Sequence, residues 1–319
     1  MTSTDFNASS SSKPQKVKVA AIQMNSQGDP AANRAQATAL IRQAAAQGAN
    51  FIVTPEYTNI IHHEEKDSLD SISADDDTNP DLRHYKTLAQ ELGVWLDLGS
   101  MAVKLAPDKM ANRQFMINPA GDIVARYDKI HMFDVDLPNG QSFRESDTVR
   151  PGETATVAQT PFGKVGMNIC YDLRFPEQQK AEALEGGASI LTVPSAYTVP
   201  SGQRTWETFL RARAAETGCY VIAPGQCGTY EDGKGASWGH SMIVSPWGTV
   251  VPQAADPDKP GIVIADIDPA EVAAARESYP VDAQTMKFKF NVQAADAQRP
   301  DGQAAPAPNK TSRFNFIPK

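Results

Sequence analysis

The sequence predicts an α/β protein, a four-layer α-β-β-α sandwich of two similar halves. Three observations predict it. One order of elements is spelled twice along the chain. Both second strands open on Gly-Ala, at Gly48-Ala49 and Gly187-Ala188, 139 residues apart. The strands are apolar nearly throughout, as sheets covered on both faces require.

The first half opens with a buried-type strand, "VKVAAIQMN" (17–25), then a helical pattern, "AANRAQATALIRQAAAQ", stopped by Gly48. A second strand follows in "ANFIVTPE" (49–56) and a third in "GVWLDLGS" (93–100). The second half matches with "GKVGMNICYD" (163–172), the helix-like "PEQQKAEALEGG", "ASILTVPSA" (188–196) and "CYVIAPGQ" (219–226). Each half ends in a hairpin pattern whose turn carries Pro-x-Gly, at Pro119/Gly121 and Pro246/Gly248. Two such sheet-and-helix halves bury their remaining sheet faces by packing against each other.

The boundaries follow from composition. Residues 1–15 are polar and Ser-rich, with neither a basic start nor an apolar core, and read as a disordered arm rather than a secretory signal. Residues 16–280 form one domain. The Pro/Ala/Gln-rich stretch within 281–319 reads as an extended tail. The acidic run 64–81 reads as a solvated loop or, less simply, a partial lid.

With 319 residues, 41% hydrophobic and 21% charged, there is ample material for a core. A net charge of −8 without a Lys/Arg cluster argues against nucleic acid or an anionic membrane as partner. No apolar run approaches the roughly 18 residues that span a bilayer. Three cysteines without CxxC spacing, Cys170, Cys219 and Cys227, argue against both a disulfide framework and a zinc site. The expected setting is a reducing cytoplasm.

In open α/β sheets, ligands bind beyond the carboxyl ends of strands. Three such ends carry reactive groups: Glu56 closes "FIVTPE", Lys129 closes "DIVARYDK" and Cys170 closes "GMNIC". A free thiol is only a few per cent thiolate at neutral pH, so a nucleophilic cysteine needs help. A neighbouring lysine favours the thiolate and holds a developing oxyanion. A neighbouring glutamate takes the thiol proton and returns it to a departing amine. Cys170 also precedes a strand-to-helix turn, "YDLRFPE", where the Tyr171 N–H points at the same oxyanion and Pro176 suits the first helical turn. Glu145 in "FRESDTVRPG" is a second carboxylate able to orient the lysine. Cys219 and Cys227 read as core residues. His131 and His240 leave a Cys-His pairing as a lesser alternative, since neither is followed by the arrangement of a papain-like site.

These stretches resemble the nitrilase, or carbon–nitrogen hydrolase, superfamily over roughly residues 16 to 280. "TPEY" carries Glu56, "YDKIHMFD" carries Lys129 and "NICYDLRFPE" carries Cys170, in the family's order. The resemblance implies an α-β-β-α sandwich and a Glu-Lys-Cys triad. In it Glu56 is the general base, Lys129 stabilises the tetrahedral intermediate, Cys170 forms an acyl-enzyme and Glu145 supports them. It further implies a homodimer or higher homo-oligomer that needs no metal or cofactor.

"MFDVDLPNGQSFRES", "VPSAYT" and "GHSMIVSPWGTVV" are similar to the Nit amidase branch, which includes deaminated glutathione amidase and ω-amidase. That implies a small, carboxylated linear amide as substrate. Arg174, four residues past Cys170, is the expected cation for its carboxylate, unless it pairs with Asp172 or Glu177. Tyr57, Ser195 and Tyr197 are the other expected substrate contacts. The chain departs from the branch at Tyr57, and at Arg204-Thr205-Trp206 where a Gly-x-Ala-His-Trp run is usual; both positions are expected to border the acyl pocket. The weaker alternatives are an N-carbamoyl amino acid amidohydrolase or a nitrilase on the same triad, and a non-catalytic interaction protein of the same fold. Tyr171-Asp172 after the cysteine, in place of Trp-Glu, speaks against a nitrilase.

Overall fold

The chain begins with β1 (Val17–Gln23), α1 (Pro30–Ala46), β2 (Phe51–Val53), α2 (Pro80–Leu92), β3 (Trp95–Ala106), β4 (Lys109–Ile117) and β5 (Ile123–Asp128). A small hairpin, β6 (Asp134–Asp136) and β7 (Ser142–Arg144), leads on to β8 (Thr156–Thr160) and β9 (Gly163–Met167). Then come α3 (Pro176–Lys180), β10 (Ile190–Thr192), α4 (Val199–Thr217), β11 (Tyr220–Ala223), β12 (Cys227–Thr229) and β13 (Ala236–Trp238). The last elements are β14 (Met242–Val244), β15 (Val250–Gln253), β16 (Gly261–Ile267) and α5 (Pro269–Ser278). This computed structural model describes residues 14–62, 68–75, 77–137, 140, 142–231, 233, 235–281 and 283. The expected arm (1–15) and tail (281–319) lie almost entirely outside the described residues.

Two six-stranded sheets carry the repeat. Their strand orders are β16-β1-β2-β3-β4-β5 and β15-β14-β11-β10-β9-β8. In each, three strands are parallel, β1-β2-β3 and β9-β10-β11. A hairpin then extends the sheet antiparallel, β4-β5 in the first and β14-β15 in the second. Both hairpins turn on the glycine of Pro-x-Gly, Gly121 at φ 83° and Gly248 at φ 74°, a region that side chains with a Cβ avoid. The sequence pattern did not mark the two outer strands, β8 beside β9 and β16 beside β1. β16 closes the first sheet from the far end of the chain.

Layering is written in alternation. On β1, Val17, Val19 and Ala21 join the core between the sheets, whereas Ala20 and Ile22 pack with residues of α1 and α2. β2 splits likewise, with Phe51 and Val53 inward and Ile52 toward the helices. On the opposite side, Trp206, Leu210 and Ala214 of α4 cover the second sheet. The fold is the α-β-β-α sandwich. The described residues through Val281 form one compact unit.

The helix starts share one local device. The side chains of Asp29, Asn79 and Asp268 each accept a hydrogen bond from a first-turn N–H of α1, α2 and α5, with Pro at the next position. The acidic run 64–81 is corrected where it is described. Asp75, partly buried, pairs with Arg113 and Arg126 at 2.8 and 2.7 Å, and Leu69 and Ile72 pack against the cluster that holds Tyr57. Asn79 caps α2, so the described residues of this run are tied to the domain rather than forming a solvated loop.

Candidate active site

Glu56 lies in the turn that follows β2. Its neighbour Tyr57 has φ 56° and donates its N–H to Ser100 Oγ at 2.9 Å. The Gln226 side chain donates to the Glu56 carbonyl at 2.8 Å, so the turn is clamped from the second half of the molecule. Lys129 follows β5, and its N–H donates to the Asn112 carbonyl at 3.0 Å. Glu145 opens a single helical turn, Glu145–Asp147, after β7. Cys170 opens another, Cys170–Arg174, after β9.

These four side chains meet. Lys129 Nζ donates to Glu56 Oε1 at 3.0 Å and to Glu145 Oε1 at 2.8 Å. The second oxygens are held by backbone, Glu56 Oε2 by the Ala196 N–H at 2.7 Å and Glu145 Oε2 by the Phe133 N–H at 2.6 Å. Asn112 Nδ2, on β4, bridges both carboxylates at 2.9 and 3.4 Å. Glu56, Lys129 and Glu145 are 2%, 2% and 4% exposed, so nothing in solvent screens their charges. One ammonium between two carboxylates leaves one negative charge in excess.

That excess acts on each member. Burial alone would lower the Lys129 ammonium, but Glu145 and Glu56 outweigh it and hold it well above the usual lysine range. Burial raises Glu145, and Lys129 pulls it back. Burial pushes the Cys170 thiol well above its ordinary value; the adjacent Glu56 carboxylate pushes the same way, while Lys129 opposes. Lys129 does favour the thiolate, as expected, but burial and Glu56 outweigh it. The proton stays on sulfur until a base takes it.

Cys170 sits at φ 50°, a left-handed conformation that costs a residue with a Cβ about 1–3 kcal/mol. Asp172 holds the turn in place. Its Oδ2 accepts from the Ile169 N–H at 2.9 Å and the Tyr127 hydroxyl at 2.7 Å. Its Oδ1 accepts from the His131 N–H at 3.0 Å and contacts His131 Nδ1 at 2.8 Å. Beneath, Glu182 receives Asn168 Nδ2 at 2.8 Å and Gln178 Nε2 at 3.1 Å, and burial raises its carboxyl to about 8. The Tyr171 N–H belongs to the first turn of a short helix, where N–H groups lack an intrahelical acceptor.

Glu56, Lys129, Glu145 and Cys170 wall one cavity of about 350 Å³. Tyr57, Tyr171, Arg174 and Tyr197 also line it, with an apolar belt that includes Ile60, Met110, Phe133 and Phe143. Arg174 has no ion pair among the described residues; its guanidinium lies 5.1 Å from the Phe209 ring and 5.8 Å from the Tyr171 ring. Asp172, one of its alternative partners, is fully engaged elsewhere.

Two expected contacts are corrected. Ser195 is buried outside the cavity wall, bridged to Gly225, with its hydroxyl turned back to the Val193 carbonyl at 3.1 Å. Arg204 is exposed on α4, off the buried stripe Gly202-Trp206-Leu210, and does not line the cavity. Trp206 is a core residue whose ring supports Tyr197 at 4.9 Å. Neither histidine serves the thiol: His131 stacks on Phe175 and faces Asp172, and His240 stacks on Trp238. Cys219 and Cys227 are buried and unbridged. Asn112 and the Ala196 N–H were not foreseen; Asn112 is one of several polar residues on β4, and nothing in the pattern singles it out.

The carbon–nitrogen hydrolase family model matches residues 18–277, and the chain belongs to that family of enzymes. It is 40% identical over 252 residues to the probable hydrolase nit2 of Schizosaccharomyces pombe, covering 78% of this chain and 90% of that protein. It is 39% identical over 279 residues to deaminated glutathione amidase of Bos taurus, covering 86% and 83%. The solved structure of Saccharomyces cerevisiae Nit3, a member of branch 10 of the nitrilase superfamily, is similar with a TM-score of 0.75 and 28% identity, covering 85% of this chain and 97% of that one. No described helix is long and apolar enough to cross a membrane.

Proposed function

We propose that residues 16–280 form a thiol-dependent amidase domain that cleaves a small, carboxylated linear amide through a Cys170 acyl-enzyme. The observation that carries this reading is the Lys129 ammonium between the Glu56 and Glu145 carboxylates, in one cavity wall with the Cys170 thiol.

As Cys170 Sγ attacks the amide carbon, its proton passes to Glu56. The carbonyl oxygen becomes an oxyanion that takes hydrogen bonds from Lys129 Nζ and the Tyr171 N–H. Glu56 then protonates the departing nitrogen, the C–N bond breaks, and a thioester remains with ammonia or a small amine released. Water gives a proton to Glu56, its oxygen attacks the thioester, and the acid leaves as the thiol is restored. Glu145 is a positioning residue: it holds the lysine while Glu56 changes charge. Arg174 binds the substrate carboxylate, and Tyr57 shapes the acyl side of the cavity.

A homodimer or larger homo-oligomer fits the exposed, apolar Trp247–Tyr279 contact, and a cytoplasmic setting fits three unbridged cysteines. The test of the activity is ammonia release from deaminated glutathione and from α-ketoglutaramate, with Cys170→Ala as the blank. Turnover of either, abolished in the variant, supports the reading and separates the two substrates. Equal rates with and without the thiol refute it.

A further inference from the structure

Asn112 is fully buried on β4 and does not line the cavity, yet it touches three of the four reactive residues. Its carbonyl accepts the Lys129 N–H at 3.0 Å. Its Nδ2 reaches Glu56 Oε1 at 2.9 Å and Glu145 Oε1 at 3.4 Å, the same two oxygens that hold the ammonium. Alternation along the strand sets it there. Asn112 and Gln114 share one face of β4, and Gln114 reaches Thr192 of the opposite sheet at 2.9 Å. One strand position thus holds the backbone of the lysine and both of its counter-charges.

The amide is committed to that one task. Its Oδ1 is buried and has no hydrogen-bond partner among the described residues. Buried side-chain amides normally pair at both ends, so an idle end needs a reason. Turning the amide over would set Oδ1 against two anionic oxygens, so the NH₂ must face them. The carboxylates in turn need a donor. They share a single ammonium, and burial leaves solvent little part in offsetting the negative charge that remains. The ionisable groups facing the pair are Lys129 after β5, Cys170 after β9, the Tyr197 phenol and the Tyr57 hydroxyl, 3.5 Å from Glu145 Oε1. An amide adds a donor among these without adding a charge.

We propose that Asn112 is a positioning residue for the reaction: its NH₂ fixes the inner oxygens of Glu56 and Glu145 on Lys129 and so keeps Glu56 ready to take the thiol proton. This deepens the amidase reading and rests on it. Asn112 meets no substrate and gives up no proton, so it acts only through the two carboxylates. A hydrogen bond donated to a carboxylate favours its charged form, and deleting the donor makes the pair bind a proton more tightly.

The experiment compares wild type with Asn112→Leu, close in size but without the NH₂. The readout is the pH profile of kcat/KM for α-ketoglutaramate or deaminated glutathione, whichever wild type turns over. The acid limb reports the essential base of the free enzyme. Losing a hydrogen bond to a charged group should move that limb up by about one to two pH units. At a fixed pH on the limb the loss is roughly ten- to a hundredfold, and on the plateau it is much smaller. A limb that stays in place overturns the inference, even where kcat/KM falls evenly at every pH, as a packing defect would make it. If wild type turns over no amide, the amidase reading itself fails. In that case, or if Asn112→Leu does not fold, ¹⁵N NMR of wild type decides. An Asn112 side-chain NH₂ resonance that shifts with a protonation between about pH 4 and 8 supports the inference, and one that holds still overturns it.

Discussion

Asp97→Asn should flatten the dependence of stability on pH. Asp97 lies on β3, fully buried between the sheets. Gln114 Nε2 donates to both of its oxygens at 2.9 Å, and also reaches Thr192 Oγ1 on β10 of the opposite sheet. Burial raises the carboxyl from 3.8 to about 7, against the opposing pull of Gln114 and Thr192. Between about pH 4 and 7 the folded protein therefore keeps a proton that the unfolded chain has released. Stability from this group is complete below about pH 4, falls as pH rises, and is exhausted above about pH 7. At about 1.4 kcal/mol per tenfold change in proton affinity, the whole fall is on the order of 4 kcal/mol. An asparagine has no proton to lose, and its amide can donate to Gln114 Oε1, which lacks a partner among the described residues. Urea unfolding followed by tryptophan fluorescence, at one protein concentration and at half-unit steps from pH 4.5 to 8, reads the difference. Glu182 tilts both proteins alike over its own window, so the gap between the curves isolates Asp97. The variant should gain on wild type steadily up to about pH 7 and run parallel above. Parallel curves throughout would refute the argument.

Glu145→Gln offers one oxygen where two donors need one each: facing Lys129 it turns an NH₂ to the Phe133 N–H, and facing Phe133 it turns one to the ammonium. Steady-state ammonia release should show kcat down by roughly 10²–10³ with KM moved far less, and the melt should show a loss of about 1–3 kcal/mol. Asp172→Asn strands at least one of the donors that converge on that carboxylate, the Ile169 N–H and Tyr127 hydroxyl on one oxygen and the His131 N–H on the other. It should lower stability by about 2–3 kcal/mol and slow alkylation of Cys170, both measurable on the same preparation.

Much of this architecture was legible because its signals are local. The Pro-x-Gly turns, the glycine stop at Gly48 and the apolar run of β1 each lie within a few residues, and local sterics and burial force the outcome. Glu56, Lys129 and Cys170 were legible for a topological reason: each follows a strand whose carboxyl end a two-sheet sandwich brings to one rim. What escaped is long-range. Nothing near Gly261 says that β16 will pair with β1 across the length of the chain. Asn112 is one of several polar residues on β4, and only the folded site shows that it spans two carboxylates. Ser195 looked like a site residue because its neighbours are, yet the bridge to Gly225 consumes its geometry.

The thiol shows how far such reasoning reaches. From spacing alone, a lysine near a cysteine argues for a stabilised thiolate. In the folded site burial, and then the Glu56 carboxylate, push the thiol up and outweigh that lysine, whose ammonium also pairs with two carboxylates at 3.0 and 2.8 Å. What most changes the outcome is burial, and after it the Glu56 carboxylate. Glu145 has a different part in the proposed mechanism: with Glu56 it holds the Lys129 ammonium well above the usual lysine range, which leaves Glu56 as the proposed acceptor of the thiol proton. A lysine paired with Glu56 alone would be neutral as a pair, and Glu56 would surrender that pairing whenever it acted as base. Placing a spare carboxylate beside the ammonium removes that conflict. On this reading the reactive unit is a set of four buried groups rather than three, and burial of the thiol beside Glu56 is what makes general-base assistance necessary.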